Sequence, residues 1–431
     1  MKTKSLLMLA VLAILATVGF TSCDELAVED NPMQSYITMR TSDVTLKVGE
    51  TYVRKAVAAG TAVVVYSSSD ATVATVDQQG KVTAITPGTA TITAQTTGYN
   101  AEGKKIYLAE EKSYKVTVVT ALSTPLTLQV LTPGTIVVNK PQPGMQYSLN
   151  GGKKTAVPDG TAINGGDLSV GDKVSFYGDG TSITAYYVGT TNTTIKGGTA
   201  EVKVYGNIMS LVDEENFATN KTLTANYTFV CLFMNYTTLT DASDLLLPAT
   251  TLTANCYNSM FYGCTSLTTA PKLPATTLAQ FCYNGMFKNC TSLTTAPAEI
   301  PAMTMADQCC GGMFRNCTSL TTAPKLPATT LAYGCYYNMF YGCTSLTTAP
   351  KLPATTLGVG CYNNMFNGCT SLTAAYVKAA FAASSQFVNM FVGCTNAATL
   401  HTTAANKGSW DNKMGSGKQW STWTTASDWT D

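Results

Sequence analysis

The chain has 431 residues, with 27 basic against 26 acidic ones and only 12% charged in all. That length predicts several modules rather than one domain, and the balanced charge leaves no footprint for nucleic acid or for steering onto an anionic membrane. The single histidine, His401, stands alone past the last complete repeat and reads as a surface or end-cap residue, which argues against histidine-based nucleophilic triads.

At the N-terminus, MKTKSLLMLAVLAILATVGFTSC combines Lys2 and Lys4, an apolar run from Leu6 to Phe20, and small residues before Cys23. The run is too short for a membrane span and reads as an export signal over residues 1–22. Phe20, Thr21, Ser22 and Cys23 resemble the lipobox of bacterial lipoproteins, which implies lipid attachment at Cys23 and an outer-membrane, surface-exposed location; an ordinary secretory signal cut elsewhere is the alternative. Residues 23–35, with DELAVEDNP, read as a solvated acidic tether, similar to the one in surface lipoproteins of the Bacteroides group.

Residues 36–119 shift to short Val, Thr and Ile runs broken by Gly and Pro, the pattern of an all-β sandwich. VTLKVGE, VVVYSSSD, ATVATVD, GKVTAITPGTATITA and YKVTVV are the expected strands, and with no cysteine between Cys23 and Cys231 the module rests on apolar packing. The order VTLKVGET, then YSSSDATVATVDQQGKVTAITPGTATITA, resembles the group 2 bacterial Ig-like domain, which implies a stalk or spacer on a surface protein, with adhesion in some members.

Residues 120–205 form a second β-rich block, with strands expected in PLTLQVLTPGTIVVN, MQYSLNGGKKTAV, GDKVSFYG, SITAYYVG and GTAEVKVYG, and a tight turn at Asn150 and Gly151. Leu211 to Phe217 reads as a short helix or turn leading into the repeats.

From 206 to 400 the chain repeats itself. MFYGCTSLTTAPKLPATTL occurs at Met260 to Leu278 and again at Met339 to Leu357, with near copies between, and Met-Phe pairs recur every 26 residues, give or take one. A degenerate copy runs from Met234 to Leu252. Leu267, Leu293, Leu320, Leu346 and Leu372 are expected to stack, because one unit cannot bury its apolar positions alone. SLTTA is the expected strand, forming a parallel sheet along one face; the Cys-Tyr to Met-Phe segment is expected as a turn or short helix opposite. FYGCTSL followed by proline resembles the BspA-type leucine-rich repeat, though the period is longer than the common form and the LPATTL corner departs from it. The fold class is thus mainly β and multidomain: an Ig-like β-sandwich, a second small β domain, and a leucine-rich-repeat-like solenoid of about 26-residue coils.

Thirteen cysteines follow Cys23, all between Cys231 and Cys394, in two period-locked series. Three readings stay open: buried thiol columns, which are favoured; disulfides, since export permits oxidation; and metal, for which the spacing offers no closed tetrahedron. No cofactor motif stands out; GSGK at 415–418 lacks the first glycine and the hydroxyl of a phosphate loop.

All four tryptophans fall in the last stretch, 401–431, read as an end cap. Tyr262, Tyr333, Tyr337 and Tyr341 occupy variable positions of the repeats and are the candidate partner contacts. The expectation is a non-catalytic, lipid-anchored surface protein that binds a protein on another cell or matrix; glycan capture or a structural surface role are the alternatives.

Overall fold

The computed structural model describes residues 37–58, 62–100, 110–119, 121–179, 192–381, 384–416 and 419–430. The export signal, Cys23, the acidic tether, the strand expected at SITAYYVG and Gly417 and Lys418 of GSGK lie outside the described residues. The chain divides into two compact units, with the division between Val118 and Val119.

The first unit holds β1 (Ile37–Thr38), β2 (Val44–Lys47), β3 (Thr51–Val53), β4 (Val57–Ala58), β5 (Ala62–Ser68), β6 (Ala74–Val76), β7 (Lys81–Ala84), β8 (Gly88–Asn100) and β9 (Glu111–Val119). One sheet runs β2-β9-β8-β5 and the other β3-β7-β6, with β1 paired to β4. The period-2 pattern decides the faces: Tyr114, Val116 and Val118 of β9 point inward and meet Ile92, Val82 and Leu46 in one core.

Arg54 enters that unit almost wholly buried, 7% exposed. Its guanidinium lies 4.0 Å from the Tyr114 ring and donates to the carbonyls of Ser42, at 2.7 Å, and Arg40, at 3.1 Å. Burial pushes the Tyr114 phenol up, and the Arg54 charge opposes that rise. The guanidinium also donates to the Tyr52 hydroxyl at 3.0 Å, so Arg54→Ala removes the stacked cation and three hydrogen bonds at once, an expected loss of about 2–3 kcal/mol. Because all four tryptophans lie after residue 400, the circular-dichroism transition of the first unit should shift while the tryptophan fluorescence transition stays in place; coincident shifts in both would refute this.

The second unit begins with β10 (Thr127–Val130), β11 (Val138–Asn139), β12 (Gln146–Leu149), β13 (Thr155–Ala156), β14 (Lys173–Tyr177), β15 (Thr194–Ile195) and β16 (Val202–Asn207). The turn after β12 places Asn150 and Gly151 at φ 53° and 75°, the left-handed pair expected from the sequence. A 3-10 turn covers Ile208–Leu211 and turns continue over 214–219, which meets the short helix or turn expected from Leu211 to Phe217. The six-stranded sheet β13-β12-β14-β10-β16-β17 then takes its last strand, β17 (Leu239–Leu246), from the degenerate repeat, in parallel with β16. The boundary expected at 205/206 therefore does not separate two cores. Apolar side chains from Leu126 to Trp423 form one continuous cluster, because the free edge of β16 is covered by the first repeat.

The repeats lie on one another in register. Phe233, Phe261, Phe287, Phe314, Phe340, Phe366 and Phe391 form a column with ring centroids 5.3 to 5.7 Å apart. A second aromatic column passes through Phe229, Tyr257 and Tyr283, and through Tyr336, Tyr362 and Phe387; in the repeat between them Cys310 holds the aromatic slot. The leucine column from Leu267 to Leu372 is fully buried, as its spacing predicts.

SLTTA does not form a full strand in most repeats. Pairing is reduced to single parallel bridges, Asp241↔Thr269, Thr269↔Thr295, Thr295↔Thr322 and Thr322↔Thr348. The proline after TTA has no N–H to continue a ladder, and Leu267 N turns back to Cys264 O at 3.1 Å. Full parallel strands appear at the C-terminal end, in β18 (Thr348–Leu352), β19 (Ala374–Val377), β20 (Ala398–His401) and β21 (Trp423–Ala426).

Opposite this edge runs a ribbon of consecutive turns, with one short helix, Ser384–Phe387, at the same place in the last repeat. Left-handed residues recur every four positions, as at Asn255, Ser259 and Gly263 or at Gly334, Asn338 and Gly342. Between them the backbone alternates its donors: Cys256, Asn258, Met260 and Tyr262 bond back within the turn, while Tyr257, Ser259, Phe261 and Gly263 bond to the next repeat. Gly342 carries a double constraint, φ 71° and a Cβ position only 2.5 Å from Asn316 Oδ1.

Three of the four tryptophans close the end. Trp410, Trp420 and Trp423 are buried and pack on Phe387 and Phe391, the last rings of the columns, and on Phe381 beside them. Trp429 departs from the cap expectation: it is half-buried and lines a cleft described below. His401 also differs from its reading as isolated, since Asp428, 27 residues later, meets its Nδ1 at 2.7 Å and Tyr376 stacks on its ring at 4.5 Å.

Candidate binding face

The turn ribbon reads two in, two out. Cys256 and Tyr257 belong to the apolar core, Asn258 and Ser259 do not, Met260 and Phe261 belong to it again, and Tyr262 and Gly263 do not; of the outer residues Ser259 and Tyr262 are partly exposed while Asn258 and Gly263 are covered. Every repeat therefore projects the residue after its Met-Phe pair outward, and that residue changes from copy to copy: Tyr262, Lys288, Arg315, Tyr341, Asn367, Val392. The backbone aligns them, since the next residue along each repeat donates to the carbonyl of this position in the following one, as in Gly263 N to Lys288 O and Asn316 N to Tyr341 O. Constant inward residues with variable outward ones give a rigid surface whose chemistry is free to differ.

All four candidate tyrosines lie on this ribbon, but they do not form one aromatic line. Tyr333, Tyr337 and Tyr341 occupy a single repeat, four residues apart, whereas Tyr262 sits three repeats away with Lys288 and Arg315 between. Tyr333 is 54% exposed and Tyr337 42%; with Gln308, Val359 and Asn363 they line a depression of about 180 Å³. Val359, Val388 and Val392, on the next two repeats, are also exposed, at 56%, 40% and 43%. These valines, Lys288 and Arg315 escaped sequence reasoning, although variation at fixed places within near-identical copies is the signal that marks them.

Lys288 Nζ lies 5.3 Å from the Tyr262 ring and Arg315 Cζ 4.7 Å from the Tyr341 ring. Asn289 donates to the Tyr262 hydroxyl at 3.2 Å and receives Asn316 Nδ2 at 2.9 Å. The tyrosines at both ends thus hold two neighbouring cations.

The threonine edge is different in kind. Thr294, Thr318, Thr344 and Thr373 hydroxyls donate to threonine carbonyls of the preceding repeat at 3.1 to 3.4 Å. Those protons are committed to stacking rather than to a ligand. A further cleft, of about 410 Å³, lies at the proline corner between Pro324, Pro327, Pro350, Pro353 and Trp429. There Lys351 Nζ donates to Thr430 O at 2.6 Å and faces the Trp429 ring at 5.7 Å.

The thirteen described cysteines are unpaired and buried, as the thiol-column reading has it. One series explains itself chemically: Cys264, Cys290, Cys317, Cys343, Cys369 and Cys394 each donate S–H to the phenylalanine carbonyl of the preceding repeat, at 3.0 to 3.1 Å. Burial pushes Cys264 and Cys343 up to about 12, so these are neutral thiols without nucleophilic character. Among the described residues no group of three or more His, Cys, Asp or Glu side chains is placed to hold a metal ion, and no helix is long and apolar enough to cross a membrane.

Compared with known proteins, residues 34–104 match the bacterial Ig-like domain (group 2). No curated protein matches the chain.

Proposed function

We propose that the chain is a lipid-anchored, non-catalytic outer-membrane surface protein that binds a protein partner through the turn ribbon of its repeats. A group 2 bacterial Ig-like domain is present, and such domains are common in surface proteins; here it serves as a spacer. Cys23 carries the lipid in this reading, and the repeats are a solenoid of the BspA leucine-rich type, supported by their register and their shared core.

The observation that carries the reading is the exposed apolar group Tyr333, Tyr337 and Val359 around one depression, with Val388 and Val392 exposed on the following repeat of the same ribbon. Aromatic and aliphatic side chains clustered on a preorganised surface are what a protein partner needs for an anchored contact. The test is binding of the mature chain to arrays of host matrix proteins and of polysaccharides. Saturable binding to a matrix protein is expected, weakened at least ~10-fold by Tyr333→Ala with Tyr337→Ala. Unchanged binding in that double variant would sink the reading.

Glycan capture has one observation in its favour, the proline cleft walled by Trp429. If it holds, polysaccharide spots light up instead and Trp429→Ala darkens them.

A further inference from the structure

Net charge conceals a local asymmetry. Between Cys256 and Cys394 there are six basic residues but only two acidic ones, Glu299 and Asp307. Neither acid serves the cation pair on the turn ribbon: Asp307 Oδ1 accepts from Tyr333 N at 3.1 Å, and Glu299 lines the proline cleft.

Lys288 and Arg315 occupy the same outward position on adjacent repeats, a separation of about 5 Å between their backbones. Two like charges so placed repel. Burial, and then the neighbouring guanidinium, hold the Lys288 ammonium below its ordinary value. Arg315 Nε is buried with no hydrogen-bond partner. Among the described residues no carboxylate forms an ion pair with either cation. Unpartnered like charges fixed between two tyrosine rings are in place for a carboxylate that arrives from outside, which would relieve the repulsion and satisfy the guanidinium together.

We infer that Lys288 and Arg315 form a carboxylate-binding subsite, and that the partner of this face is a protein surface presenting an acidic side chain there, beside apolar side chains seated on Tyr333, Tyr337 and the valines. The inference rests on the proposed protein-binding role and deepens it. Charge complementarity selects the acid, and the exposed valines, which offer a sugar ring nothing, select a protein over an acidic glycan.

The probes are fluorescent random copolymers of glutamate with tyrosine and of lysine with tyrosine, and polygalacturonate, titrated against the mature chain. The glutamate copolymer should bind, the lysine copolymer should not, and salt should weaken the binding. Lys288→Gln with Arg315→Gln should weaken it about 10- to 100-fold and flatten the salt dependence. Lys288→Glu with Arg315→Glu should exchange the preference toward the lysine copolymer, a gain that a misfolded variant cannot produce. If the glutamine variant binds the glutamate copolymer as its parent does while Tyr333→Ala with Tyr337→Ala loses it, the subsite is overturned and the face stands. If the parent binds neither copolymer, both are overturned. Polygalacturonate bound as tightly as the glutamate copolymer overturns the choice of a protein partner.

Discussion

Raising the pH from 9 to 10 should unfold the second unit in one steep transition. Twelve buried thiols, Cys264, Cys290 and Cys317 among them, are pushed above their ordinary value of 9.0, chiefly by burial. A thiol raised in the folded chain stays protonated while the unfolded one ionises. The stability it supports is complete below pH 9 and falls as pH climbs from there toward the folded value, about 12 for Cys256, Cys264, Cys343, Cys361 and Cys394. At pH 10 each such thiol costs on the order of 1 kcal/mol, so several of them together cancel a large part of a typical stability of roughly 5–15 kcal/mol. Buried tyrosines such as Tyr257 and Tyr283, also raised well above their ordinary value, add to the same slope. Tryptophan fluorescence against pH is the measurement, since every tryptophan belongs to this unit. A unit still folded at pH 11 would mean that the columns are not free thiols; cross-linked cysteines have no proton to lose.

Phe314→Ala should cost about 3–5 kcal/mol, a large share of the unit's stability. The ring is fully buried and lies between Phe287 at 5.5 Å and Phe340 at 5.6 Å, nearly parallel to both. Truncation leaves a cavity in the middle of the column and removes two ring pairs, each of about 0.5–1.5 kcal/mol beyond area. In a stack held by nearest-neighbour contacts, a central defect weakens the coupling between the halves. Urea denaturation followed by tryptophan fluorescence should show the lower midpoint, and Phe314→Leu should recover more than half of the loss. A cost below ~1 kcal/mol would show that the column is not what holds the repeats together.

Much of the core was readable because a period of 26 residues names its own partners. The residues that recur apolar at fixed places, Leu267 to Leu372 and the Met-Phe pairs, are the buried columns. The turn ribbon was not readable in the same way. Its period of four, two in and two out, matches neither the 3.6 of a helix nor the 2 of a strand, and only the left-handed residues such as Asn255 and Gly263 betray it. SLTTA looked like a strand because threonine favours one, yet the proline behind it and the turn at Leu267 leave a single bridge.

From the sequence alone come the β-sandwich with its alternating strands, the 26-residue unit, and the need of that unit to stack, because these depend on local pattern and on copies of itself. Tertiary structure alone decided that β16 accepts the first repeat as its neighbour, that His401 meets Asp428, that Trp429 leaves the cap for the proline corner, and that Lys288 stands beside Arg315 between two tyrosines. Each of these joins residues about 26 or more positions apart whose types carry no mark of one another, and only the register of the stacked backbone brings them within reach.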